Sequence, residues 1–127
     1  LGYADFGLIT ATEIQTRARY IASITKLPLI ADSDTGYGNA LNVMRTIQDY
    51  ISLGISGVHI EDQIWPKRCG HLKGKLVIPK DEMVGKIKAA TEPLDSSTSL
   101  AAASAVPPVA IKSSIINTES FSLIESL

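Results

Sequence analysis

Leu27-Pro28-Leu29-Ile30-Ala31-Asp32-Ser33-Asp34-Thr35-Gly36-Tyr37-Gly38 is the stretch on which the fold turns. A short apolar run, Leu27 to Ala31, passes without a break into two acids and a glycine-punctuated loop. Such a run, bounded by turn residues, is the pattern of a strand buried in a parallel sheet. The pattern returns at Gly57-Val58-His59-Ile60-Glu61, followed by Asp62-Gln63. Helical periodicity fills the intervals. Thr10 and Glu13 form a capping-box pattern, and Ile14, Ala18, Ile21 and Ala22 then recur at helical spacing, which predicts a helix over 11–25. Asn39 or Asn42 caps a second helix with Ala40, Met44, Ile47 and Ile51 on one face, and Gly54 ends it. Pro79 opens a third, with Asp81 and Glu82 in its first turn. Met83, Ile87 and Ala90 give that helix its apolar stripe, which Gly85 weakens. Helix, strand, helix, strand, loop, helix is the βα rhythm of a parallel sheet or barrel.

The chain has 127 residues, 45% hydrophobic and 20% charged, enough for one domain with a packed core. A formal net charge of −1 argues against a nucleic-acid binder. No apolar run reaches the roughly 20 residues that span a bilayer, so no membrane span is expected. A single cysteine excludes an intrachain disulfide framework. The first residue is Leu, so an earlier segment lost to processing or absent from the sequence is expected. The compartment stays open between cytoplasm and a mitochondrial or plastid matrix.

Composition changes near Thr91. Residues 1–91 hold all nine glycines and carry a net charge of +2; residues 92–127 hold no glycine, nine serines and three prolines and carry −3. The first part reads as the α/β unit. The Ser/Ala/Pro-rich part has no clear period, and irregular structure is expected there, with a short amphipathic turn at Phe121, Leu123, Ile124 and Leu127.

In parallel α/β folds, ligands bind beyond the carboxyl ends of the strands. The first strand runs into Asp32 and Asp34, the second into Glu61. Three like charges on one rim repel unless a cation neutralises them, and oxygen ligands favour Mg²⁺ or Mn²⁺. The competing reading makes Asp32 and Asp34 turn and cap residues. Lys67-Arg68-Cys69-Gly70-His71 opens a long polar loop that runs to Lys75. Cations around a cysteine favour its thiolate, so Cys69 is a candidate acid or base, with His71 sharing or holding the proton. Lys67, Arg68, Lys73 and Lys75 are candidate carboxylate binders, and Gly70 and Gly74 suit a lid. The alternative is a solvated basic loop with an incidental cysteine. His59 alternates with apolar neighbours and reads as a packed residue; Asp5, alone, reads as a loop acid.

Taken together, four segments resemble the isocitrate lyase and phosphoenolpyruvate mutase superfamily: Leu1-Gly2-Tyr3-Ala4-Asp5-Phe6-Gly7, Asp32 to Gly38, His59-Ile60-Glu61-Asp62-Gln63, and Lys67-Arg68-Cys69-Gly70-His71. The resemblance covers residues 1–91 and is strongest toward the lyase-type branch, which includes methylisocitrate and dimethylmalate lyases, oxaloacetate hydrolases and plant carboxyvinyl-carboxyphosphonate phosphorylmutase-like proteins. It implies about three βα units of a (β/α)₈ TIM-type barrel, followed by an irregular tail over 92–127. It further implies Mg²⁺ (or Mn²⁺) on Asp32 directly and on Asp34 and Glu61 largely through water, with Asp5 near metal and substrate. Cys69 matches the acid that protonates the carbanion left by C–C cleavage. Lys67, Arg68, Gly70 and His71 match the lid, with Arg68 and His71 also toward the substrate. The implied reaction is retro-aldol cleavage of a 2-hydroxy di- or tricarboxylate of the isocitrate, methylisocitrate or dimethylmalate type. The implied partner is a small carboxylate, and full-length members are expected to be homo-oligomers.

The sequence departs from that pattern in three places. Ser33 stands where Ala or Gly is usual, the first barrel strands would precede Leu1, and no Arg-Thr-Asp-like motif follows Thr91. A complete barrel needs roughly 250 residues, so low stability and little turnover are expected of this chain by itself. Three readings follow: part of an active carbon–carbon lyase; an inactive barrel fragment that only binds metal or a partner chain; a small metal-binding α/β module. Oxaloacetate hydrolase or phosphonomutase-type chemistry is the alternative activity.

Overall fold

A computed structural model describes residues 1–101 and 110–114 of the chain. Its elements are α1 (Ala11–Ile24), β1 (Ile30–Asp32), α2 (Ala40–Ser52), β2 (Gly57–Glu61), α3 (Lys80–Ala101) and β3 (Ala110–Ser114). The three strands form one parallel sheet in the order β1-β2-β3. This is the expected α/β architecture. No helix among the described residues is long and apolar enough to cross a membrane.

Each helix begins where its capping residues dictate. The Thr10 hydroxyl accepts from the Glu13 amide while the Glu13 carboxylate accepts from Thr10, and the Asn39 side chain accepts from Leu41 and Asn42. α2 stops at Gly54, whose φ of 74° is the left-handed value that glycine adopts without strain.

Three expectations shift. β1 pairs from Ile30 rather than Leu27, with Leu29 contributing only its carbonyl, which accepts from Ser56 and Gly57. β1 is an edge strand among the described residues, and Ile30 is 69% exposed, so it is not buried on both faces. The buried face of α2 is Val43, Thr46, Ile47 and Tyr50, with Ala40, Met44 and Ile51 only half-buried. The phase is set by Tyr50, which is fully buried and donates its hydroxyl to the Asp32 carbonyl at 2.8 Å. Finally, residues 92–101 and 110–114 are not irregular. α3 runs through Pro93 to Ala101, because the segment after Thr91 holds no glycine to stop it. Ala110–Ser114 is drawn into pairing with all of β2, from Gly57↔Ala110 to Glu61↔Ser114, and tertiary pairing of this kind overrides weak local preference. The turn expected at Phe121 to Leu127 lies outside the described residues.

The core is small and lies between sheet and helices: Val43, Ile47 and Tyr50 of α2, Ile55, Val58 and Ile60 around β2, and Met83 and Ala90 of α3. α1 buries no residue fully, although Ile14, Ala18 and Ala22 lean on this cluster. Ile24, Leu27, Ile30 and Leu41 stay largely exposed, in line with the unpaired edge and uncovered helix faces expected of a few βα units. Ile47→Ala removes a fully buried side chain from the centre of this cluster. It should lower unfolding free energy by roughly 2–5 kcal/mol, read as a reduced urea midpoint.

Candidate functional site

The parallel register aligns the strand ends. Asp32 stands opposite His59, and Glu61 lies two residues further along β2, so the acids of both strands reach one rim. The loop after β1 is then held by its backbone. The Asp34 amide donates to Asp32 Oδ1 at 2.8 Å, the Gly36 amide to the Ser33 carbonyl at 2.7 Å, and the Glu61 amide to the Asp34 carbonyl at 2.7 Å. Asp34 and Tyr37 adopt φ of 49° and 60°, unusual outside glycine and sustained by these bonds. Asp32 takes the turn role considered for it, and its side chain stays exposed at the rim.

The side chain at the centre of the acids is Lys67. Its ammonium pairs with Asp5 at 2.9 Å, Asp34 at 2.5 Å and Glu61 at 3.6 Å, and the side chain is only 4% exposed. Burial alone would lower the Lys67 pKa, but hydrogen bonds to Asp34 and Asp5 and the charges of Asp34 and Glu61 outweigh it and hold it well above the ordinary lysine value. Burial pushes the Asp34 carboxyl up despite the Lys67 bond, whereas that bond draws Asp5 down. Burial also raises the Tyr50 phenol to about 12. Asp5, Asp32 and Asp34 share a cleft of about 210 Å³ with Tyr37.

The loop carrying Cys69 is anchored by Gln63, a residue singled out only as part of a motif. Its side chain is buried, donates to Glu61 Oε2 at 2.7 Å and the Arg68 carbonyl at 2.8 Å, and accepts from the Arg68 amide at 3.0 Å. Cys69 is half-buried and near enough to Asp5 to help hold its carboxyl low, after the larger effect of Lys67. Arg68 donates to the Lys73 carbonyl, and Lys75 to those of Gly70 and Leu72, so these cations brace the loop's own backbone. Gly70 and His71 are exposed on the loop, and His59 is half-buried in β2, as a packed residue should be.

The rim's acids offer oxygen, the ligand type of a hard divalent cation, with the Lys67 ammonium set among them. Among the described residues, no three His, Cys, Asp or Glu side chains stand close enough together to hold a metal. Asp32 is the rim acid that Lys67 does not pair, so an ion held here would touch that one carboxylate and meet the others through its water.

The phosphoenolpyruvate phosphomutase family model matches residues 1–102. The chain is 51% identical over 92 residues to the 2,3-dimethylmalate lyase of Eubacterium barkeri, which covers 72% of this chain and 32% of that protein. A solved oxaloacetate acetylhydrolase, in complex with the inhibitor 3,3-difluorooxalacetate, superposes with a TM-score of 0.77 at 37% identity over 91% of this chain and 37% of its own. A phosphonopyruvate hydrolase complex with oxalate and Mg²⁺ superposes with a TM-score of 0.60 at 35% identity, covering 69% of this chain and 29% of its own. The chain thus spans about a third of the length of the relatives it matches.

Removing the Lys67 ammonium isolates a buried Asp34. Lys67→Met should cost roughly 3–5 kcal/mol at pH 7, the range for breaking a buried pair. Asp34 would then titrate further above its unfolded value near 4. A carboxyl with a raised folded pKa is destabilising only where it must ionise. The deficit should therefore be small at pH 4 and grow as pH rises toward neutrality, read as the difference in urea midpoint between variant and parent.

Proposed function

The chain belongs to the phosphoenolpyruvate phosphomutase family, within the isocitrate lyase superfamily, and from that premise we propose that its rim serves a divalent-metal-dependent carbon–carbon lyase acting on 2-hydroxy di- or tricarboxylates. One observation carries this reading: Asp5 before α1, Asp34 after β1 and Glu61 at the end of β2 gather on one cationic centre, with Cys69 near Asp5. A purely structural cluster has no need of a thiol at its mouth.

In this reading Asp32 holds Mg²⁺ or Mn²⁺ directly, and Asp34 and Glu61 hold its water. The chemistry such an ion would supply there is polarisation of the hydroxyl and carboxylate oxygens of the substrate. A rim carboxylate takes the proton of the substrate hydroxyl, which becomes the carbonyl of an oxo acid as the adjacent C–C bond breaks. The electron pair stays on the carbon next to the departing carboxylate, and Cys69 Sγ–H delivers a proton to that carbon. Arg68 and His71 sit on the same loop and in this reading meet carboxylate groups of the substrate, for which Arg68 would exchange its bond to the Lys73 carbonyl. Lys67 and Gln63 fix that loop to the rim, and the closed loop keeps water from the carbanion. The three βα units would form one part of a (β/α)₈ barrel, whose remaining strands supply the other substrate contacts.

The test uses the protein in which this segment occurs. Isocitrate, methylisocitrate, dimethylmalate and oxaloacetate are offered with Mg²⁺, and release of glyoxylate, pyruvate or oxalate is followed. Cys69→Ser should lower kcat by roughly 10²–10⁴-fold while leaving Mn²⁺ affinity near that of the parent. Full turnover in the serine variant would remove Cys69 from the chemistry. Oxalate and acetate from oxaloacetate alone would move the assignment to the hydrolase branch.

A further inference from the structure

Five consecutive carbonyls, from Asp32 to Gly36, each accept a hydrogen bond, and the donors come from different elements. Tyr50 Oη of α2 caps Asp32, the Gly36 amide caps Ser33, and the Glu61 amide at the end of β2 caps Asp34. Thr46 Oγ1 of α2 reaches Gly36 at 3.5 Å. The fifth, Thr35, accepts from Lys86 Nζ at 3.1 Å across 51 positions of sequence. Lys86 is the donor that α3 contributes to this loop and the one formal charge among the five.

Its position is costly. Lys86 is 4% exposed, and no carboxylate lies within ion-pair distance of it among the described residues. Glu82, one turn earlier on α3, is exposed and supplies a nearby opposite charge. A buried ammonium with so little compensation calls for a reason in what it holds. What it holds is the Thr35 peptide, between Asp34 at φ 49° and Gly36 at φ 86°. Without Lys86 that peptide is free to turn, and the loop that carries Asp34 loses the anchor α3 gives its backbone.

We infer that Lys86 is a positioning residue for the acid rim: through the Thr35 carbonyl it fixes the backbone that aims Asp34. This rests on the reading of the rim as a divalent-cation site. It predicts that α3, though it brings no ligand, governs how well the rim binds its ion. The effect is that of an outer partner that orients a ligand without touching the metal.

The experiment measures Mn²⁺ binding to the full chain by electron paramagnetic resonance, with folding checked by circular dichroism. Lys86→Met should weaken Mn²⁺ affinity about tenfold, and Lys86→Arg should restore it to within about threefold of the parent. Ile55→Val, in the core away from this loop, should lower the melting temperature without changing Mn²⁺ affinity. A loss that merely followed stability would appear in both variants. Equal affinity in the parent and Lys86→Met overturns the inference and leaves the metal reading intact. No Mn²⁺ binding by the parent overturns both.

Should Lys86→Met fail to fold, the unaltered chain decides. Lys86 borders a cavity of about 1040 Å³ with Thr35 and Glu82, through which acetic anhydride can approach it. Mn²⁺ should slow acetylation of Lys86 severalfold relative to exposed Lys26, because a fixed loop keeps the amine bound. Equal labelling with and without Mn²⁺ would show that loop and ion are not coupled through Lys86.

Discussion

Acids that a parallel sheet brings to one rim cannot share it without a cation, and most of this structure answers that constraint. The register of β1 on β2 leaves no choice about where Asp32, Asp34 and Glu61 go. Like charges at such separations raise one another's pKa or recruit a positive partner. Here the chain supplies one itself: Lys67 enters from the loop after β2 and meets Asp5, Asp34 and Glu61. The loop is thereby bound to the rim by charge, and its conformation and the charge state of the rim become one problem.

Asp32, Asp34 and Glu61 were legible because the chemistry sits where strand gives way to loop, whereas Asp5 read alone as a loop acid and only the family resemblance set it near them. Apolar run, acid, glycine is a pattern that sequence displays directly, and parallel pairing turns it into proximity. The role of Lys67 was less legible. A lysine beside Arg68 and Cys69 reads as one of several loop cations, and only tertiary placement separates the one that turns inward from Arg68 and Lys75, which brace their own loop. Lys86 gave no signal, since a lysine in a helix ordinarily faces water, and its partner is a backbone carbonyl 51 residues away.

The same distinction explains the misplaced helix face. Ile47 belongs to both the expected and the observed buried face of α2, but Tyr50 rather than Ile51 completes it. Hydrophobicity ranks isoleucine above tyrosine. The Asp32 carbonyl needs a donor, and a buried phenol both fills the space and provides one. Beyond Thr91, composition described the segment without describing its pairing. The open edge of β2 selects Ala110–Ser114, and that choice depends on the edge rather than on the strand.

A rim that is to stabilise developing charge must be fixed before the substrate arrives, since reorganisation during the reaction would consume the gain. Backbone bonds do this better than side-chain packing, because they act on the peptide that bears the ligand. The β1 loop has a donor on each carbonyl from Asp32 to Gly36, drawn from α2, β2, α3 and itself. The Cys69 loop is held differently, by Gln63 on the backbone of Arg68 and by Lys67 on the acids. Cys69 lies within two residues of both attachments, so the thiol is placed by the same groups that set the charge of the rim. A rigid half that carries the acids and a half tethered through charge that carries the thiol are what a site needs when one part must hold an ion and the other must close over what the ion binds.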